Sequence, residues 1–523
     1  MKFLLLLLPL LLQALTFKVA TYNVENLFDM HFSGREYAEY IPGSKFGWNY
    51  NNYSKKLQNI SKVIYDLNAS VIALEEIESK RALLDLRDAI KKRGLSYRYY
   101  AIANKKDTTV KVALLSKFKI TKTKDILVTY SSKYRDILEA HLLVENKPLI
   151  IFANHWKSKS GPESERIISA KALKKRVEEL PKGSEYIILG DFNSNYNELI
   201  TFLNDRRLND THGKTGINTI LKTVKKGKFV TKEMAKKDCS LLYNLWLELP
   251  LALRYSYIYK GERDSIDNIL LPCTMFDGKG IDYVDNSFNV FKKDYLFKNG
   301  MIFRWERAYG YGPFTGRGYS DHLPIYAYFT TDKNPPTFKK VSKNSPLETK
   351  TISYLYKIKY LVQPITLKNC VVIYRDRGGV VVKRANDRAI YIYRHNKIFK
   401  KGYSYNIVVN HIKRYRDNLE IDKIKNAFRT GKAKVKKFLL HYKKGMDLSK
   451  KVYLNEVIYK LSGVYDRGYL YYDKDKRVRV YNKIRGLRLK NGHKITLKNV
   501  RIVIYKDEPE VILYYKKQIR FKR

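Results

Sequence analysis

From Phe17 to Phe329 the chain repeats one pattern, a short apolar run that stops at acidic, amide or imidazole side chains. Lys18–Tyr22 stops at Asn23-Val24-Glu25-Asn26, and Ser70–Leu74 at Glu75-Glu76. Pro148–Ala153 stops at Asn154-His155-Trp156-Lys157, and Glu185–Leu189 at Gly190-Asp191-Phe192-Asn193. Asp267-Asn268 lies inside Ser265–Leu271, and Ser320-Asp321-His322 stands just before Pro324–Phe329. With Val110–Leu115 and Ile137–Val144, these runs have the length and composition of strands. Ser54–Asn68, Arg81–Arg93 and Glu165–Leu180 carry apolar residues at helical spacing. Strands interleaved with helices predict a layered α/β or α+β domain.

Apolar strands bury, so the polar groups at their tips are displayed on one rim. Carboxylates gathered there repel unless a cation neutralises them. An oxygen-rich donor set favours a hard ion, Mg²⁺ first, with Mn²⁺ or Ca²⁺ as alternatives, over zinc.

The segments TYNVENLFD, VIALEEIES, RDILEA, NHWKS, GDFNSN, SIDNILL and GYSDHLPIYAYF occur in the order found in the DNase I-like endonuclease/exonuclease/phosphatase superfamily, which Phe17–Thr330 resembles. The resemblance implies a four-layer αββα sandwich of α+β class and in-line displacement at phosphorus. It implies Glu76 as principal metal ligand, with Asn23, Glu25 and Asp321 close to the ion. Asp191 would orient or deprotonate the attacking water, and Asn193 would hold phosphate oxygens. His322, paired with Asp267, would stabilise the phosphoryl centre, with His155 acting from the opposite side. Arg135 would contact a non-bridging oxygen. Asn154 and Lys157, on the same tip as His155, are the other candidates for substrate contact, although a solvated lysine is the ordinary fate of Lys157. Two positions depart from the usual pattern. Asn268 follows Asp267 where many relatives carry His, Arg or Tyr, and Glu75-Glu76 replaces Gln-Glu, which would add a negative charge beside the metal. His31, His141 and His212 lack such context and read as structural histidines.

Met1-Lys2, the apolar run Phe3–Leu12 and the small residue Ala14 fit a cleaved export signal over residues 1–16. No later run is long and apolar enough to span a bilayer, so the expectation is a soluble, secreted protein without stable membrane insertion. Cys239, Cys273 and Cys370 allow one disulfide at most.

Domain boundaries follow from a change of texture. The catalytic domain is expected over 17–332, then a Pro- and Lys-rich linker over 333–350, then two β-rich modules over 351–430 and 446–523. The modules are an internal duplication: strands, a turn, a strand, a Lys/Asn-Gly turn and further strands recur in each. Five short strands suit an OB-like barrel, and the module endings resemble OB modules attached to secreted bacterial nucleases. Of a formal net charge of +51, residues 351–523 carry about +32. A polyanion partner, nucleic acid above all, accounts for such an excess. Tyr374, Arg375, Arg377, Tyr391, Tyr393 and Arg394 alternate with apolar residues and are candidates for contact with a strand. The expected activity is therefore a secreted nuclease acting on DNA or RNA. The rival readings are a phosphohydrolase of phospholipid or inositol phosphate and a non-catalytic polyanion binder.

Overall fold

Side chains in the apolar runs alternate between two cores, which is what period-two geometry demands of strands buried on both faces. In Lys147–His155, Leu149, Ile151 and Ala153 join one cluster, whereas Ile150 and Phe152 join another. In Tyr186–Asp191, Ile187 and Leu189 point one way and Tyr186 and Ile188 the other. The computed structural model describes residues 15–521 apart from 260, 299–300, 340–347, 359–360, 362–363 and 396–397. Most of the expected leader (residues 1–14) and the centre of the expected linker (340–347) lie outside the described residues. The chain divides into two compact units, Met1–Tyr259 with Arg263–Asn344, and Lys260–Glu262 with Ser345–Arg523.

In the first unit the elements are β1 (Thr16–Leu27), α1 (Tyr50–Leu67), β2 (Val71–Ile77), α2 (Lys80–Lys92), β3 (Tyr99–Ile102), β4 (Lys111–Ser116), β5 (Lys119–Ile126), β6 (Ile137–Val144), β7 (Lys147–His155), α3 (Glu163–Glu178), β8 (Tyr186–Asp191), β9 (Tyr243–Asn244), β10 (Asp267–Leu271), β11 (Asp282–Tyr283) and β12 (Ile325–Thr330). One sheet runs β11-β12-β1-β2-β4-β3 and the other β9-β10-β8-β7-β6-β5. Residues from α1, α2 and both sheets share the central core, while Ala170 and Leu173 of α3 pack on the far face of the second sheet. The architecture is thus the four-layer αββα sandwich. Strand β5 has no counterpart in the sequence reading, because Lys119–Ile126 is a lysine-rich edge with little to bury.

The polar rim is built by irregularities at strand ends. Asn23 of β1 pairs with Glu75 of β2, but the next pair is Leu27 with Ile77, so β1 carries extra residues. Between Leu74 and Ile77 strand β2 bulges against β4 in turn. Glu25 and Glu76 sit in these bulges with φ +53° and +65°. Bulges re-aim side chains, and left-handed backbone at bulky residues is a strain that clusters at functional sites.

Strands β7 and β8 lie close together at Gly190, where φ is +131° and an added Cβ would lie 2.1 Å from the Asn154 carbonyl oxygen. Gly190→Ala is therefore expected to lower stability by about 3 kcal/mol, from backbone strain and overpacking together. Urea unfolding checks this, and an unchanged midpoint would show that the two strands can part without penalty. A disulfide joins Cys239 to Cys273, and Cys370 is a buried free thiol. Closing a loop of 34 residues stabilises by about 3–4 kcal/mol in the chain-entropy account.

In the second unit β13 (Ile365–Arg375), β14 (Gly379–Lys383), β15 (Ala389–Tyr393), β16 (Tyr403–Tyr415) and β17 (Asn418–Lys432) form a closed barrel in the order β13-β14-β15-β17-β16. β18 (Val457–Asp466), β19 (Tyr469–Asp473), β20 (Lys476–Asn482), β21 (Lys494–Tyr505) and β22 (Glu508–Leu513) repeat that order, and pairing of β18 with β21 closes the ring. In both barrels the third and fifth strands run parallel. The duplication read from sequence is thus a pair of five-stranded β modules with one strand order. A further cluster holding Tyr374, Tyr391, Leu439 and Val457 lies between them. This corrects two expected strand contacts. Tyr374 and Tyr391 are each only 4% exposed. The Tyr391 hydroxyl donates to Asp376 at 2.6 Å, and Arg501 lies 3.6 Å over its ring. Tyr393 is half-buried beneath Lys413 and Arg394, whereas Arg375, Arg377 and Arg394 are exposed.

Candidate active site

The two sheets bring their polar tips together at one end of the central core. Asp191, the last residue of β8, lies at the centre. Its Oδ1 accepts the Asn193 backbone N–H at 2.8 Å. Its Oδ2 accepts Asn23 Nδ2 at 3.1 Å and Asn193 Nδ2 at 3.3 Å. The same oxygen lies 3.7 Å from His155 Nε2 and 3.9 Å from His322 Nε2. Burial, with repulsion from Asp267 and Glu76, pushes the Asp191 carboxyl up to about 7 against the pull of His322.

His322 is oriented from behind. Its Nδ1 contacts both Asp267 oxygens, at 2.9 and 3.1 Å, and Ser256 Oγ donates to Asp267 Oδ2 at 2.5 Å. Tyr257 packs on the imidazole with centroids 4.8 Å apart. Burial opposes the charged imidazole, but Asp267, with Asp191 and Asp321 behind it, outweighs that and raises His322 well above its usual range. His322 is therefore an imidazolium with Nε2 turned into the pocket, 3.9 Å from Asp321. The Ser320 hydroxyl locks this turn, donating to the Asn23 carbonyl at 2.6 Å and accepting the His322 N–H at 3.1 Å.

His155 is the opposite case. Burial first, then Arg135 and His322, push it well below its usual range, so it is neutral. Its Nε2 lies 3.8 Å from Glu76, and Nδ1 has no hydrogen-bond partner among the described residues. Arg135 is half-buried, hydrogen-bonds Tyr37, reaches the Trp156 carbonyl at 3.5 Å and feels both Glu76 and His155.

The remaining candidates separate. Glu76 and Asp321 each keep 20% of the side chain exposed. Glu76 Oε1 accepts Asn23 Nδ2 at 3.2 Å, and Asp321 lies 3.6 Å from Arg304. Glu25 is spent: Arg304 Nε and Nη2 reach its Oε1 at 2.8 and 2.5 Å, and Trp305 N reaches its Oε2 at 2.9 Å. Expected as a metal neighbour, Glu25 instead anchors Arg304. Burial and Asp321 push its carboxyl up to about 7 despite that cation. Asn23 faces the carboxylates with its amide nitrogen, while its Oδ1 accepts the Glu25 N–H at 3.0 Å. In this orientation it bridges two acids and offers a donor, not a ligand oxygen. Asn193 Nδ2, expected on phosphate, also donates to the Trp156 carbonyl at 3.1 Å.

Two expectations fail, the first because consecutive strand residues face opposite ways and the second because burial keeps a carboxyl uncharged. Asn154 does not reach substrate: it is fully buried, donates to the Phe152 and Leu189 carbonyls, and accepts Trp156 Nε1 at 3.0 Å. Glu75 adds no charge beside a metal. It points between the sheets, accepts Thr21 Oγ1 at 2.7 Å, and is raised well above its usual range by burial, so it is a neutral acid. Lys157 is half-exposed, in the ordinary lysine manner. Sequence reasoning missed Arg304, Ser256, Tyr257, Tyr37 and the buried Lys56, whose Nζ donates to the Glu25 carbonyl at 2.6 Å. Tyr37 and Lys56 lie in no quoted motif, and Ser256, Tyr257 and Arg304 fall in a stretch of short, irregular elements that lacks periodicity.

The donor set fits a divalent cation. Burial and Asp321 raise the Glu76 carboxyl, and a cation beside the pair relieves that repulsion. Glu76 and Asp321 are the carboxylates left with accessible oxygens, few enough to leave positions for water and substrate, as Mg²⁺ prefers. Asp191, Asp267 and His322 also present ligand atoms within 4.8 Å of one another. A cation there would have to displace the His322 proton, so Glu76 and Asp321 are the better hold.

Residues 18–233 match a family described as Endonuclease/Exonuclease/phosphatase family. A search of curated proteins finds no match. Among solved structures, D. rerio TDP2 complexed with single strand DNA product matches at 16% identity, over 60% of this chain and 99% of that one, with a TM-score of 0.38. An endonuclease/exonuclease/phosphatase family protein from Bacteroides thetaiotaomicron matches at 15% identity, over 61% and 96%, with a TM-score of 0.38. The mannosyl-6-phosphatase of Bacteroides thetaiotaomicron VPI-5482 matches at 14%, over 60% and 99%, with a TM-score of 0.37.

Proposed function

Taking the first unit as a member of the endonuclease/exonuclease/phosphatase family, whose members hydrolyse phosphoester bonds, we propose that this chain is an exported, divalent-metal-dependent nuclease. The observation that carries the hydrolytic part is the Asp267–His322 imidazolium facing Asp191 across 3.9 Å, with Glu76 and Asp321 beside them. Asp191 orients the attacking water and takes its proton. The new bond forms from that oxygen to phosphorus, and the bond to the leaving oxygen breaks in line. His322 Nε2 supports the charge building on the phosphoryl group and supplies a proton to the leaving oxygen. Arg135 and neutral His155 hold non-bridging oxygens from the opposite wall. A cation held by Glu76 and Asp321 would supply Lewis acidity to a phosphoryl oxygen.

Nucleic acid is favoured as substrate by the excess of positive charge in residues 351–523, since counter-ion release drives binding to a phosphate backbone. Export is favoured by the N-terminal residues together with the Cys239–Cys273 disulfide, a bond rare in reducing compartments. The test is direct: supply the purified chain with Mg²⁺ and, in parallel, plasmid DNA, RNA, anionic phospholipid and soluble phosphomonoesters. Nucleic acid should be cut, and consumption of lipid or monoester alone overturns the reading. Deleting residues 346–523 should weaken DNA binding and flatten the slope of log affinity against log salt. An unchanged slope would remove the barrels from the account.

A further inference from the structure

The segment Arg307–Phe314 is an exposed loop with a rigid frame. Its ends pair as an antiparallel bridge, and Ala308 N donates to the Pro313 carbonyl at 2.8 Å. Gly310 N and Gly312 N donate to Arg307 and Ala308 carbonyls at 3.0 and 2.7 Å. The Arg307 guanidinium closes the loop from inside, donating to the Gly312 carbonyl at 2.9 Å and the Tyr311 carbonyl at 2.6 Å. At its root, Phe314 packs against Tyr40 and Trp48 at 5.0 and 5.3 Å, and Arg307 lies 4.7 Å over Phe46.

That frame holds two rings in solvent. Tyr309 is 92% and Tyr311 76% exposed, and neither packs on another ring or cation among the described residues. Tyr309 has φ +54°, a left-handed backbone that is unfavourable for a bulky residue. Single exposed aromatics are ordinary. A pair, held outward by an internally bonded loop at the expense of backbone strain, points to a ligand. The loop is also tethered to the pocket. Five residues before Tyr309, Arg304 grips Glu25 and lies 3.6 Å from Asp321. Chain reach thus keeps the Tyr309 backbone within about 18 Å of that arginine.

We infer that Tyr309 and Tyr311 form a stacking platform for unpaired bases flanking the scissile phosphate, so that the site takes nucleic acid in single-stranded form. The inference rests on the nuclease reading and adds the state of the substrate. Solvent-exposed rings can stack only on bases whose faces are free, and a duplex keeps them inside its own stack. Against a lipid surface, two tyrosines set between glycines offer little apolar area.

The experiment compares full-length wild type with a Tyr309→Ala/Tyr311→Ala variant. kcat/KM is measured on a single-stranded oligonucleotide, its duplex, and methyl p-nitrophenyl phosphate, a diester without bases. The variant should lose about ten-fold or more on the single strand and keep its rate on the small diester, while Tyr309→Trp/Tyr311→Trp keeps both. Unchanged cleavage of the single strand, or equal loss on both substrates, overturns the platform. Loss of binding to phosphatidylglycerol vesicles with oligonucleotide cleavage intact assigns the loop to a membrane and overturns it too. A wild type that hydrolyses the small diester but no oligonucleotide defeats the nuclease reading itself, a result distinct from the others.

Discussion

Replacing His322 with alanine lowers kcat/KM on a phosphodiester by about 10³-fold, with the loss mainly in kcat. The size follows from how firmly the charged imidazole is installed. Burial disfavours the charge, yet Asp267, Asp191 and Asp321 together keep the proton on the ring. Ser256 and Tyr257 fix Asp267 and the ring plane. A donor so fixed loses nothing to reorganisation as charge develops on phosphorus, which is where such groups contribute most. Asp267→Asn keeps the shape but removes the carboxylate that holds the proton, and should fall between wild type and His322→Ala. Because His322→Ala leaves Asp267 buried with Ser256 as its remaining partner, unfolding must be monitored alongside rate. Wild-type turnover by a folded His322→Ala protein would refute the site.

Chelation is expected to bring hydrolysis to background, and Mg²⁺ to restore it. Glu76→Gln should raise the Mg²⁺ concentration for half-maximal rate by about ten-fold or more, since a hard cation loses a charged oxygen and gains an amide. Loading with Mg²⁺ should also raise the melting temperature of the wild type, because the ion binds only the assembled pocket. That shift should shrink in Glu76→Gln. Full activity in excess chelator would remove metal from the chemistry and leave Glu76 without the role given to it.

Much of the sandwich was legible because strands buried on both faces read as apolar runs, and their polar tips mark the rim. Asp191, Asp267, His155, His322, Glu76 and Asp321 do meet. What a tip cannot disclose is which of two neighbouring residues faces inward. Asn154 was misread on that account, lying one residue from His155, and Glu75 was misread because a tip does not disclose the burial that raises its carboxyl. Arg304 was invisible because its partner Glu25 is 279 residues away and no periodicity marks the loop that carries it. The barrels were legible as a duplication, through repeated turns and strand lengths. Burial of Tyr374 and Tyr391 was not, because it depends on a cluster that each barrel supplies only in part.

Glu25 and Glu76 reach the rim because β1 and β2 hold more residues there than their neighbours do. Their aim is therefore a matter of arithmetic along the chain. Substitutions at Val24 or Asn26 leave the count intact, whereas removing one residue from either stretch turns every following side chain to the other face. Insertions and deletions, more than exchanges of side chains, are the changes this pocket has least room to absorb.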